Sequence, residues 1–255
     1  MNLFDAHFHL VPTVNSCGKE SVLDFYSDNN FAVTCAHDEA EFIEQEKFIL
    51  ENNLSSKIKA AFGIHPQMPL LKNAAFLEKL LKEKRISMIG ETGLDFFTEE
   101  FRSHEKTQVE AFNICIDLAI ENQVPLVIHN RKALDLMFGE IRRLSKIPLV
   151  LFHSFAFSSR EAESILNHKV NGYFSFSKQI INGNKKSISC IRDLPLDRIF
   201  LETDSPFQTL KGELHTLPCE LAWVYKKAAE IRGLPQKCLE SSVYDNFIRF
   251  FGFAF

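Results

Sequence analysis

The sequence predicts an α/β protein with the architecture of a (β/α)8 TIM barrel, built as a single domain over residues 1–255. Short apolar runs recur along the chain at fairly even intervals, and amphipathic stretches separate them. No linker rich in Pro, Gly or Ser divides the sequence, so its length is expected to form one large domain. An open doubly wound sheet is the main alternative, but no glycine-rich phosphate loop follows the first strand.

Eight runs of four to seven residues have the length and composition of buried parallel strands. They are Leu3–His9, Phe31–Ala36, Lys59–Ile64, Ser87–Glu91, Leu126–His129, Leu149–His153, Gly172–Phe176 and Ile199–Glu202. Helices are predicted between them over Glu39–Glu51, Ala74–Lys84, His104–Asn122, Ala133–Leu144 and Arg160–Asn167. Ser158 and Glu161 form a capping-box pattern before the last of these helices. Two more helices, Leu217–Arg232 and Gln236–Phe251, are expected to close the barrel after strand eight.

The composition is typical of a soluble globular protein, with 45% hydrophobic and 24% charged residues. A formal net charge of −4 argues against a surface coated in positive charge for tight binding to a DNA duplex. The six cysteines form no C-x-x-C pair, which favours reduced thiols. Without a signal-peptide pattern or a long apolar run, the chain is expected to be a cytoplasmic protein with no membrane partner, and a monomer.

The first strand carries two histidines, His7 and His9. Side chains alternate across a strand with a period of two residues, so both imidazoles point to the same face. A pair of imidazoles on a mostly apolar strand requires partners. This strand alone favours neither of two interpretations. The two histidines are either hydrogen-bonded core residues or metal ligands.

The other strands strengthen the metal interpretation, because ligand-type residues stand at their carboxyl ends, where barrel enzymes have their active sites. Together with the first strand they supply four histidines and two carboxylates, namely His7, His9, Glu91, His129, His153 and Asp204. Six ligands exceed what one catalytic zinc ion takes, so the set predicts two divalent ions that share a carboxylate. Such a site carries a formal charge of about +2, attracts an anionic substrate and activates water near neutral pH.

Six blocks of sequence occur in a specific order: DAHFHL, GIHP, GETGLDFF, VPLVIHNRKA, LFHSFAF and PLDRIFLETDSP. Together they resemble the TatD family of metal-dependent deoxyribonucleases, which belongs to the wider amidohydrolase-like barrels. The resemblance runs from residue 3 to about residue 207, and YDNFIRFF resembles the family's C-terminal end.

The resemblance implies a role for each predicted ligand. It implies that His7 and His9 bind the first ion, that His129 and His153 bind the second, and that Glu91 bridges both. Asp204 would bind the first ion and help to orient the attacking water, so Glu91 and Asp204 are the catalytic residues. Mg or Mn is the expected cofactor in function, while imidazole ligands also suit Zn, Ni, Co or Fe.

The resemblance also implies hydrolysis of DNA phosphodiesters, with single-stranded DNA or DNA 3′ ends as the partner and 3′-exonuclease action. Arg131 is predicted to bind the substrate because its forked guanidinium matches a phosphate, and His65 is predicted to contact the phosphate or the ligands. Three departures from the family pattern fall at the substrate rim: Gln67 after GIHP, the stretch His153–Phe157, and the loop Phe207–Gly212.

Two alternatives stay open. An amidohydrolase-type reaction would act on an amide, a lactone or an aminoacyl ester, although many such relatives bridge their metals with a carboxylated lysine, where this chain has Glu91. A metal-binding protein without catalysis is the other, and the complete ligand set argues against it.

Three basic rim residues, Lys178, Lys185 and Lys186, are candidates for contacts with a DNA strand next to the scissile phosphate, although a solvated charge run is the favoured interpretation of Lys185 and Lys186. Three aromatic residues, Phe96, Phe97 and Phe207, are candidates for stacking on an unpaired terminal base. His104 and His168 are expected to be solvated, and His37 and His215 have no predicted role.

Overall fold

The computed structural model describes residues 3–26 and 29–251, and it contains the predicted barrel. Eight parallel strands pair in sequence order from β1 to β8. They are β1 (Phe4–Phe8), β2 (Phe31–Ala36), β3 (Ile58–Phe62), β4 (Met88–Asp95), β5 (Leu126–Arg131), β6 (Val150–Phe152), β7 (Gly172–Phe176) and β8 (Ile199–Leu201). The sheet closes where the Asp204 N–H donates to the His7 carbonyl (3.0 Å) and the His9 N–H donates to the Ser205 carbonyl (2.9 Å).

Twelve α-helices alternate with these strands in the described residues. They are α1 (Leu10–Cys17), α2 (Lys19–Tyr26), α3 (Glu39–Glu51), α4 (Asn73–Lys82), α5 (Glu99–Ser103), α6 (Glu105–Asn122), α7 (Leu134–Gly139), α8 (Ile141–Leu144), α9 (Ser159–Asn167), α10 (Lys185–Asp193), α11 (Leu221–Arg232) and α12 (Gln236–Phe251). Short 3-10 turns lie at Lys178–Ile180, Leu196–Arg198 and Pro218–Glu220. Over residues 3–26 and 29–251, none of the helices combines the length and apolar character that a membrane span needs.

The predicted helix boundaries are corrected in three places. Helix α5 stands apart before α6, because the Thr98 side chain accepts the Phe101 N–H (3.1 Å) and starts a separate turn. The predicted helix Ala133–Leu144 divides after Gly139, at Glu140, into α7 and α8. Helices α1, α2, α5 and α10 lie outside the predicted set. Pro12 is tolerated in α1 because the first helical turn needs no backbone donor there.

Strands β4 and β5 run further toward the barrel mouth than the sequence predicts. Gly93 pairs with His129, and Asp95 pairs with Arg131 at the ends of the two strands. The prediction ends the fourth strand at Glu91, so it misses this extension and the acid that it carries. The extended pair places polar residues above the main apolar layer.

The C-terminal helix covers the junction of the first and last strands. The Phe4 ring lies 5.0 Å from the Phe200 ring of β8 and 4.5 Å from the Phe247 ring of α12, measured between centroids. Asn246 of α12 donates to the Ile199 carbonyl (2.9 Å). The predicted closing role of this helix is confirmed by these contacts.

The loop after β8 is held by a buried ammonium group. Lys178 is 1% exposed, and its Nζ donates to Glu213 (2.5 Å) and Glu220 (2.8 Å). The prediction that Lys178 contacts a nucleic acid is therefore wrong, because the side chain is enclosed by the two carboxylates. Lys185 and Lys186 are exposed at the start of α10.

Replacing Lys178 with Met should lower the free energy of unfolding by about 3 kcal/mol, since two acids lose the charge that satisfies them in a buried setting. Urea denaturation of the chain measures the change. Lys185→Met is the matched control, because the same substitution at an exposed position removes no buried pair. Equal unfolding midpoints for the two variants would contradict the structural role of Lys178.

Candidate metal centre

The six predicted ligands meet at the carboxyl ends of the strands. All six are at most 8% exposed. His7 lies in β1 and His9 directly follows it, Glu91 and His129 lie in β4 and β5, and His153 and Asp204 follow β6 and β8. Asp204 adopts a φ of 56°, which turns the chain immediately after the barrel strand. The predicted convergence is present, although metal ligation itself stays a prediction.

Two glycines let β4 approach β5 around Glu91. A Cβ atom on Gly90 would lie 2.5 Å from the Val127 Cβ, and one on Gly93 would overlap the His129 carbonyl oxygen. Both glycines also have positive φ values, 151° and 137°. The GETG segment therefore brings the Glu91 backbone close enough to β5 for its carboxylate to meet His129.

Six of the nine histidines in the chain surround the Glu91 carboxylate. Three face Oε1: His153 Nε2 at 2.7 Å, His129 Nδ1 at 2.9 Å and His65 Nε2 at 3.4 Å. Three face Oε2: His7 Nε2 at 3.2 Å, His37 Nε2 at 3.4 Å and His9 Nε2 at 3.6 Å. The carboxylate thus separates two groups of imidazoles.

The spacing of the donor atoms fits shared metal ions. Ligands about 2.1 Å from one ion are about 3.0 Å apart at right angles and about 3.4 Å apart at tetrahedral angles. His7 Nε2 lies 3.2 Å from His9 Nε2, and Asp204 Oδ1 lies 3.3 Å from His9 Nε2. On the other side, His129 Nδ1 lies 3.2 Å from His153 Nε2. Each group is compact enough to bind one ion.

An unpartnered carboxylate oxygen also points to a cation site. Glu91 Oε2 is buried and has no hydrogen-bond partner among the described residues. A buried acceptor without a donor is costly, and a divalent ion would satisfy it. The residues therefore fit the metal that the predicted ligand set requires.

The charges in the cluster are coupled. Burial alone would raise the pKa of Glu91, but His153, His7 and His65 lower it well below its usual range. Burial and the neighbouring His153 lower the pKa of His7. At His153, burial is outweighed by the charge of Glu91, which raises its pKa well above the usual value. Glu91 is consequently ionised at neutral pH and available as a ligand.

Asp95 orients His129, and sequence reasoning missed it. Asp95 Oδ2 lies 2.9 Å from His129 Nε2, so the ring proton sits there and Nδ1 faces Glu91. The same carboxylate accepts Gln67 Nε2 (2.8 Å) and the Phe97 N–H (2.9 Å). Asp95 lies in the GETGLDFF segment and could have been recognised as a strand-end acid. It was overlooked because the predicted strand ends at Glu91. Gln67, a departure from the family pattern, has a definite place in this network.

Glu202 supports His153 from the barrel interior. It is fully buried, its Oε1 accepts the Ser154 N–H (2.8 Å), and its Oε2 accepts the Ser175 hydroxyl (2.5 Å). Oε1 also lies 3.7 Å from His153 Nδ1. This negative charge stands behind the ring, on the side away from Glu91. It favours a proton on Nδ1 and leaves Nε2 to face the centre.

The two predicted substrate-binding residues lie next to the cluster. His65 Nδ1 accepts the Gln67 N–H (3.2 Å), and burial lowers the pKa of His65 to about 3. The ring is thus neutral with its proton on Nε2, which makes it a donor near Glu91. Arg131 lies at the mouth, with Nη1 3.4 Å from Asp95 Oδ2 and its guanidinium 3.9 Å from the centroid of the Phe97 ring.

The remaining histidines divide clearly. His37, which had no predicted role, lies beside Glu91 in the centre. His104 and His168 are exposed, as predicted, and His215 is exposed as well. His37 directly follows the predicted strand Phe31–Ala36, and this position was the signal that could have separated it from His215.

Comparison with known proteins connects this geometry to a family. The family described as TatD related DNase matches residues 4–252 of the chain. This chain belongs to the TatD family. It is 27% identical over 259 residues to YabD of Bacillus subtilis (strain 168), named as an uncharacterized metal-dependent hydrolase, with 98% of each chain covered.

One further relative and one solved structure are similar to this chain over nearly its whole length. A metal-dependent hydrolase of Buchnera aphidicola, also named as uncharacterized, is 28% identical over 263 residues, covering 98% of this chain and 96% of that one. The crystal structure of YJJV, a TatD homologue from Escherichia coli K12, has a TM-score of 0.86 at 23% identity, covering 99% and 98% of the two chains. It confirms the barrel fold. Family and cluster together make the chain a TatD-family metal-dependent hydrolase.

A cavity of about 510 Å³ opens above the TatD-family cluster. Its floor includes Glu91 and Asp204, and its wall includes Arg131 and Phe207. Phe207 is 52% exposed, and Phe97, stacked under Arg131, is 51% exposed. Phe96 instead packs partly buried against the core, and its contact with substrate stays a prediction.

Metal binding to this TatD-family chain should release protons and weaken as the pH falls. Although burial lowers the pKa of His9, His129 and His153, contacts with Asp204, Asp95 and Glu91 raise it overall. These rings therefore stay protonated at pH values above about 6.5, where a free imidazole would be mostly neutral. Metal ligation requires the neutral imidazole, so binding must release the protons. Calorimetric titration with Mn²⁺ at several pH values measures both effects. An affinity independent of pH, without proton release, would contradict this assignment of ligands.

Proposed function

We propose that this protein is a metal-dependent deoxyribonuclease that removes nucleotides from DNA 3′ ends and prefers single strands. The observation that carries the proposal is the Glu91 carboxylate, which faces one group of imidazoles with each oxygen at the floor of an open cavity. The family assignment supports phosphodiester hydrolysis. The metal ions, the substrate and the direction of cleavage are parts of this proposal.

The residues divide into two ligand sets. His7, His9, Asp204 and Glu91 Oε2 would hold one ion, and His129, His153 and Glu91 Oε1 would hold the other. Mg²⁺ or Mn²⁺ is the proposed cofactor in function, and the imidazole ligands also suit Zn, Ni, Co or Fe. When bound, two divalent ions neutralise phosphate charge and promote ionisation of a water molecule.

Asp204 supplies a carboxylate for the attacking water. Burial tends to raise the pKa of Asp204, but its hydrogen bond with His9 and the charges of His153 and His7 lower it. The group is therefore ionised at neutral pH, and it lies at the floor of the cavity. In the proposed reaction it orients the water and accepts its proton.

His65 and Arg131 bind the phosphate in this proposal. His65 presents its Nε2–H toward the space beside Glu91 Oε1, where it can donate to a phosphate oxygen. Arg131 is held between Asp95 and the Phe97 ring, and its side chain is 36% exposed at the cavity mouth. Charge-assisted hydrogen bonds from a planar guanidinium suit a phosphate.

The shape of the rim favours an unpaired strand end. Phe97 and Phe207 are exposed aromatic rings near the cavity, and base–aromatic stacking contributes about 1–3 kcal/mol per base. In this proposal a terminal nucleotide enters the cavity of about 510 Å³, and an intact duplex does not reach its floor. Lys185 and Lys186 stay candidates for contacts further along the strand.

Glu91→Gln should reduce turnover by at least about a hundredfold, because the substitution removes the charge that both ions share. Folding should be preserved, since the amide has the shape of the carboxyl group. Release of nucleotides from a single-stranded oligonucleotide with Mn²⁺ measures the effect, and exposed His215→Gln is the control. Near-normal turnover at saturating metal would refute the bridging role.

Arg131→Ala should raise KM for single-stranded DNA by about tenfold or more, because a charged hydrogen-bond donor to phosphate is lost. The metal content of the purified protein should not change. Arg142→Ala, at an exposed position on α8, serves as the matched control. Steady-state kinetics and elemental analysis test the two statements, and an unchanged KM would remove Arg131 from the substrate site.

The choice of substrate class is tested with the metal-loaded protein. Single strands and duplexes labelled at the 3′ or 5′ end should show metal-dependent loss of nucleotides from the 3′ end, faster for single strands. Parallel assays with a lactone and an aminoacyl ester address the alternative reaction. Intact DNA together with cleavage of either small substrate would replace the nuclease proposal with the amidohydrolase one.

A further inference from the structure

His37 is held firmly at the mouth of the barrel, immediately after β2. Its backbone N–H donates to Glu41 Oε2 (2.8 Å), and its carbonyl accepts from Asn73 Nδ2 (2.8 Å). Asp38 caps α3 by accepting the Glu41 N–H (2.9 Å). The beginnings of α3 and α4 therefore fix the position from which the imidazole extends, as a metal ligand requires.

The imidazole of His37 ends at an unsatisfied atom. Its Nε2 is buried and has no hydrogen-bond partner within residues 3–26 and 29–251. It lies 3.4 Å from Glu91 Oε2, the carboxylate oxygen that likewise has no hydrogen-bond partner. A cation placed between two buried polar atoms that face each other would satisfy both. Their separation fits two ligands of one ion at tetrahedral angles, which is about 3.4 Å.

The contacts of the two ring nitrogens distinguish His37 from His65, although both rings lie beside Glu91. His37 Nδ1 lies 3.8 Å from Glu41 Oε2, and that negative charge favours a proton on Nδ1 and a lone pair on Nε2. His65 Nδ1 accepts a backbone N–H, which leaves the proton on Nε2. A lone pair can bind a metal ion, whereas an N–H cannot. His37 is therefore the ring with a ligand atom facing Glu91.

We infer that His37 Nε2 is a ligand of the ion that His9 and Glu91 Oε2 hold, outside the six ligands that the sequence predicts. The ligand atoms of His9, His37 and Glu91 all lie within 4.8 Å of one another. The inference rests on the metal centre of the proposed function. It does not depend on the nature of the substrate.

His37 also influences which metal the centre prefers. Imidazole suits Mn, Co, Ni, Zn and Fe, whereas Mg²⁺ prefers oxygen ligands and retains several waters. An added imidazole on the Oε2 side shifts the preference of that position toward nitrogen-binding ions. Loss of His37 should therefore weaken Co²⁺ more than Mg²⁺.

The test is a metal titration of the full-length, metal-depleted protein without DNA. Co²⁺ uptake is followed by visible absorption and calorimetry in the wild type, His37→Ala, His37→Gln and the control His65→Ala. Both His37 variants should weaken one Co²⁺ binding step by about tenfold or more and change the absorption spectrum of that step. Mg²⁺ affinity should fall less, and His65→Ala should retain both Co²⁺ steps.

The outcomes separate the inference from the proposed function. Unchanged Co²⁺ binding in His37→Ala would overturn the ligand role, as would recovery of wild-type affinity in His37→Gln, which keeps a hydrogen-bond donor without an imidazole. Circular dichroism and thermal melting in chelator establish that the variants are folded. A wild-type protein that takes up no Co²⁺ would contradict the metal centre itself, while a failure to cleave DNA leaves the titration result standing.

Discussion

The buried carboxylate of Glu91 is the group on which the rest of the site depends. An ionised carboxylate out of water is costly unless positive charge or hydrogen bonds compensate it. Here six imidazoles lie between 2.7 and 3.6 Å from its oxygens, three on each side. The barrel supplies this arrangement because the carboxyl ends of five strands deliver the rings to one place. Divalent ions on either side of the carboxylate would take the place of the imidazole protons and would supply the positive charge that compensates Glu91.

The surrounding structure keeps these rings in place through contacts that do not face the cavity. Asp95 holds His129 by its far nitrogen, and Glu202 lies behind His153. The closure of β1 on β8 brings His7 next to Asp204 through a backbone hydrogen bond. The loop that carries Phe207 is tied to the barrel by buried Lys178. The same polar contacts therefore stabilise the fold and hold the side chains of the site in position.

The sequence predicted the barrel and the six ligands because both follow from short periods and strand ends. His7 and His9 share a face through the two-residue period, and Glu91 stands at the end of an apolar run. His37 directly follows the second strand and carried the same strand-end signal as the six predicted residues, although no role was predicted for it. Asp95 was missed because the fourth strand extends beyond Glu91, where the prediction ended it. The prediction for Lys178 was wrong because its two partners, Glu213 and Glu220, lie 35 and 42 residues away in the sequence. Nothing near Lys178 in the sequence indicated these ion pairs.

Glu91 is proposed to separate two metal positions. Anomalous diffraction from crystals grown with Mn²⁺ at mildly alkaline pH tests it most directly, because the scattering locates each ion without reference to activity. Two peaks are expected, one beside Oε1 near His129 and His153, and one beside Oε2 near His7, His9 and Asp204. A single peak that does not contact Glu91, or peaks spread over other surfaces of the barrel, would contradict it.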